Sequence, residues 1–66
     1  MDIHAALTKE VVRCKKIAEA YAEIGQPGIL TKIILDRDIE LAEHALVSLD
    51  AIAIIRCLET LKEYKL

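Results

Sequence analysis

The chain predicts an all-α fold: a helical hairpin or three-helix unit that assembles into a dimeric helical bundle, with residues 1–66 forming one helical domain. Three observations predict it. Apolar residues from Ile3 to Ile24 recur at alternating intervals of three and four, as Ile3, Leu7, Cys14, Ile17, Tyr21 and Ile24, with Glu10 the only polar residue on that register. Such spacing lines one face of an α-helix and requires a second helix to cover it. Gly25-Gln26-Pro27-Gly28 is an unmistakable stop, because glycine accepts left-handed backbone at a helix end and proline cannot continue the ladder. The interval returns near the end of the chain in Val47, Ala51, Ile54, Leu58 and Leu61.

The first helix therefore spans about 2–24, with Asp2 as N-cap, and the turn occupies 25–28. A second helix begins at about 29. Taken to the end of the chain as one rod, it would bury opposite faces in its two halves: at about 100° per residue, the stripe of Leu41, Ala42, Ala45, Leu46 and Leu49 lies far around the helix from that of Ala51, Ile54, Cys57, Leu58 and Leu61. A break at Ser48 to Asp50, which offers good cap residues, resolves this, giving helices at about 29–47 and 50–64. A softer interruption is expected at Asp36, Arg37 and Asp38, after the apolar run Ile33, Ile34, Leu35. Lys62 and Lys65 suit the negative end of the last helix.

Composition sets the scale. Sixty-six residues barely suffice for one core, yet 55% are hydrophobic, with neither Phe nor Trp among them. The excess of Ala, Ile and Leu suits helix interfaces and predicts that a neighbouring chain covers part of it, most simply in a homodimer. Self-association is expected through Ile3, Leu7, Cys14, Ile17, Tyr21, Ile24, Ile54, Leu58 and Leu61. Glu10 on this seam is expected either to reach solvent at its edge or to fix register by pairing across an interface.

Formal charge is −2 overall, neutral over residues 1–25, −3 over 26–50 and +1 over 51–66. No global positive field exists to attract nucleic acid or anionic lipid. The longest run free of charged and polar residues, Ala51 to Ile55, is far short of the about 20 needed to cross a bilayer, and no secretory leader opens the chain, so a cytoplasmic protein is expected. Cys14 and Cys57 are too few for a disulfide framework or a zinc site and read as small core hydrophobes.

No chemistry announces itself. Asp36, Asp38, Glu40, Glu43 and His44 share only their spacing with the start of a calcium loop: Leu41 occupies the position of the required glycine and Val47 that of the final glutamate. Glu40 and His44 lie four apart, but the Glu-x-x-His pattern of helical carboxylate metal sites is absent. Neither His4 nor His44 has a nucleophile at suggestive spacing, and there is no glycine-rich phosphate loop. No catalytic, metal or cofactor residue is expected, and the chain reads as a non-enzyme. Its expected role is that of a small adaptor, inhibitor or regulator that binds another protein by helix-face docking. Leu46, Leu49, Ile52 and Ile55 would pack on the partner while Asp38, Glu40 and Glu43 steer a basic surface toward it. The alternatives are a purely structural helical oligomer and a helix-turn-helix-like DNA-binding regulator. The latter would use the turn at Asp36 to Asp38 and the cations Lys9, Arg13 and Lys16, against an acidic recognition helix that phosphates repel.

Overall fold

The computed structural model describes residues 2–66, which form three packed α-helices: α1 (Ile3–Ile24), α2 (Ile29–Ser48) and α3 (Ala51–Lys62). Asp2 caps α1, its carboxylate accepting the Ala5 N–H at 3.1 Å. Gly25 ends the helix at φ +83° and ψ −141°, a conformation that is essentially glycine's alone. One 3-10 turn, Gln26–Gly28, then reverses the chain. Gly28 is buried against the turn of α1 that it faces, and a Cβ there would lie 2.9 Å from the Tyr21 carbonyl oxygen. The hairpin closes this tightly only because that position lacks a side chain.

α2 runs unbroken through Asp36, Arg37 and Asp38. No proline or glycine interrupts this stretch, and Lys32 donates to Asp36 at 2.6 Å one turn along, so the soft interruption expected there does not form. The turn that the helix-turn-helix alternative places at Asp36 to Asp38 is therefore absent. The real break comes at Leu49, which takes left-handed backbone at φ 56°, followed by Asp50, whose Oδ1 accepts the N–H groups of Ile52 and Ala53. An aspartate that satisfies two otherwise unpaired donors specifies a new helix start, and this separates α3 from α2.

The core is shared by all three helices: Leu7, Val11, Cys14, Ile17 and Ala18 from α1, Leu35, Ile39, Ala42 and Ala45 from α2, and Ile54, Leu58 and Leu61 from α3. It contains no buried polar or charged residue among those described. Six residues expected to mediate self-association, namely Leu7, Cys14, Ile17, Ile54, Leu58 and Leu61, are thus buried inside a single chain. The periodic stripe did require covering helices, and α2 and α3 supply them; a second copy is not needed for these side chains. Ile3 and Tyr21 pack half-buried on the same core, and Ile24 is exposed.

Length mismatch shapes the rest. α2 has 20 residues and α3 only 12, so at 1.5 Å per residue they span about 30 and about 18 Å. α3 ends where Leu61 meets Cys14 and Tyr64 meets Asp38. Beyond that level the second half of α1 and the first half of α2 stand as a two-helix hairpin with one side open. No described helix is long and apolar enough to cross a membrane.

Candidate protein interface

Polar contacts between helices tie down most of the charged groups that face one another. Arg13 on α1 forms a two-point pair with Glu10, Nε to Oε2 at 2.9 Å and Nη2 to Oε1 at 3.2 Å. The same guanidinium donates to the Leu61 carbonyl at 2.8 Å and the Tyr64 carbonyl at 2.7 Å. Its charge thereby meets carbonyls at the negative end of α3, where a cation is favoured. The bond to Glu10 raises the Arg13 pKa further above its ordinary value. Glu10 holds Arg13 in place from three residues away on the same helix, its side chain only 18% exposed. Arg13 is consumed here and is not a free cation for phosphates.

Two of the three acidic residues expected to steer a partner are likewise occupied. Asp38 accepts the Tyr64 hydroxyl at 2.6 Å, joining α2 to the segment after α3. Burial, then the bond and charge of Asp38, push the Tyr64 phenol up to about 12. Glu43 pairs with Lys15 across the α1–α2 groove at 2.9 Å. Spacing alone would pair Lys15 with Glu19, but the neighbouring helix offers it the nearer carboxylate. Glu40 alone remains exposed and without an ion-pair partner among the described residues.

Of the apolar residues expected at the interface, Leu49, Ile52 and Ile55 are exposed. Leu46 is not: it packs half-buried on the core, and its carbonyl lies 3.3 Å from His4 Nε2. Burial pushes both thiols up, Cys14 most enclosed beside the Leu61 carbonyl and Cys57 at the α2–α3 groove. Both cysteines are free. Among the described residues no three His, Cys, Asp or Glu side chains gather as a metal-binding group.

A further uncommitted apolar surface lies on α2. α2 exposes Ile29, Leu30, Ile33, Ile34, Leu41 and Val47, with Leu30 at 69% and Val47 at 83%. Leu41 continues into a groove between α2 and α3 that is lined also by His44, Ser48, Ile52, Arg56 and Cys57. Sequence reasoning missed these α2 residues as a face, although the signal was present. Neighbours such as Ile33, Ile34 and Leu35 point about 100° apart, so such a run cannot address one core. Leu35 is fully buried and its two predecessors are about half exposed. α2 therefore carries aliphatic surface on more than the side that faces the core. Comparison with protein-family models, with curated proteins and with solved structures gives no match to this chain.

Proposed function

We propose that this chain is a small non-enzymatic protein-binding module that docks through the outer face of α2 and the adjoining α2–α3 groove, and that it works as a homo-oligomer. The reading is carried by one observation: six large aliphatic residues of α2 are exposed, although the three-helix core is complete without them. An apolar helix face of this kind is a recurring mode of protein recognition. Leu49, Ile52 and Ile55 extend the surface onto the α2–α3 turn and α3. Two free cysteines fit a reducing compartment, which supports the cytoplasm as its place of work.

The test is site-specific photocrosslinking. A benzophenone side chain at Ile34 or Leu41 is expected to capture a discrete polypeptide, its own copy or another, in the purified protein or in extract of the native host. The same probe at exposed Lys16, on the outer side of α1, is expected to capture none. Failure of both α2 probes in both settings would end this reading.

A further inference from the structure

The outer face of α2 carries its own complement. At about 100° per residue, the outer half of α2, on the side away from Leu35, Ile39 and Ala42, includes Leu30, Ile33, Arg37, Glu40, His44 and Val47. All six are exposed. Asp36, Asp38 and Glu43, the other acids of this stretch, are held by Lys32, Tyr64 and Lys15. What remains at the centre of the face is one cation, Arg37, and one anion, Glu40, neither with an ion-pair partner among the described residues. A surface presenting one charge of each sign does not select a uniformly basic or acidic partner. It matches itself when turned around.

From these observations, and resting on the interface reading above, we propose that the occupant of this face is a second copy of the chain, with α2 packed antiparallel on α2 of its partner about a two-fold axis. α2 spans Ile29–Ser48, so its midpoint falls between Asp38 and Ile39. An axis through that point, normal to the outer face, brings Arg37 of each copy onto Glu40 of the other. It also stacks Ile33 on the partner's His44 and Leu30 on the partner's Val47. The two central ion pairs fix register, and the aliphatic side chains toward both ends of the helix lose contact with water. Such an interface is self-complementary, as two-fold symmetry demands. It leaves the α1 and α3 flanks of α2 undisturbed.

The experiment is charge reversal followed by mixing, read by sedimentation equilibrium at low salt. Wild-type chain is expected to dimerise. Arg37→Glu, with two acids on the face, and Glu40→Arg, with two bases, are each expected to weaken self-association about tenfold or more. Mixed one to one, they are expected to form a heterodimer, because each then supplies what the other lacks. Contacts within a helix cannot produce this rescue, since both variants carry like charges at the two positions. Both substitutions are at exposed sites, and far-ultraviolet circular dichroism checks that helicity is kept. A wild-type dimer indifferent to either reversal, or unrescued by mixing, overturns the antiparallel pairing while the broader interface reading stands. Wild-type chain that stays monomeric at every concentration overturns the pairing as well, and combined with failed photocrosslinking it removes the interface altogether.

Discussion

α1 and α2 lie side by side and are nearly equal in length, 22 and 20 residues, yet they use their apolar residues differently. Of its large hydrophobic residues α1 exposes only Val12 and Ile24, whereas α2 exposes six. Both helices contribute to one core, so the demands of folding a lone chain cannot account for the difference. α1 is amphipathic in the ordinary sense, one apolar stripe and one solvated face. α2 has a core stripe and, around it, further aliphatic surface that three helices do not use. What folds the chain and what the chain offers outward are therefore separable along a single helix.

That separation is open to attack at adjacent positions. Leu35→Ala, which removes a fully buried side chain, is expected to cost about 2–5 kcal/mol. Against a total of about 0.05–0.15 kcal/mol per residue, this is a large share of the stability, and the unfolding midpoint followed by circular dichroism should fall steeply. Ile34→Gln, one residue away and about half exposed, should lower the unfolding free energy in urea by no more than about 0.5 kcal/mol at chain concentrations low enough to suppress association. Comparable losses at the two sites would break the contrast.

A second probe asks how α3 is fastened to the well-satisfied side of the molecule. Arg13→Ala removes the bonds to the Leu61 and Tyr64 carbonyls and frees Glu10, and is expected to cost about 1–2 kcal/mol in chemical denaturation, the guanidinium being partly in solvent. Amide exchange should rise first in α3, sharpening the view that α1 grips both neighbours.

The link between α2 and the segment after α3 has a pH signature. Tyr64 titrates near 10 when unfolded and at about 12 when folded, so its contribution is fully present below pH 10 and lost as pH rises from about 10 to about 12. The raised thiols of Cys14 and Cys57 add a loss of the same sign above their ordinary value of 9.0, so the informative quantity is wild type minus Tyr64→Phe. The difference in stability between the two should shrink across that window. A constant difference would deny the phenol its burial and its bond to Asp38.

The smallest effect is expected at Leu49, an exposed residue in left-handed backbone. Leu49→Gly relieves the strain of a side chain there, offset by the greater freedom of glycine when unfolded, for a net gain of about 0.5 kcal/mol in thermal or urea denaturation. A loss of stability would mean that Leu49 contributes packing that its exposure does not suggest.

Legibility in the sequence followed the range of the interaction. The Ile3 stripe, the glycines at 25 and 28, and the caps Asp2 and Asp50 act within a turn of where they stand, and each marks an observed boundary. The interruption expected at Asp36 to Asp38 is absent, because residues that favour caps also sit comfortably on the surface of a continuing helix. That six seam residues pack within one chain was not legible for a different reason. Periodicity states that a face must be covered and is silent about which helix covers it.

The chain by itself determined that there are helices, where the hairpin turns and that some aliphatic surface exceeds the needs of one core, because backbone conformation and burial demand are encoded within a few residues. Only the tertiary structure decided that Leu7, Cys14, Ile17, Ile54, Leu58 and Leu61 cover one another. It also decided that Asp38 and Glu43 are taken by Tyr64 and Lys15, and that the outer face of α2 is what remains. Those outcomes depend on distances between residues 26 to 54 positions apart, and these are set when the helices pack, not along the chain.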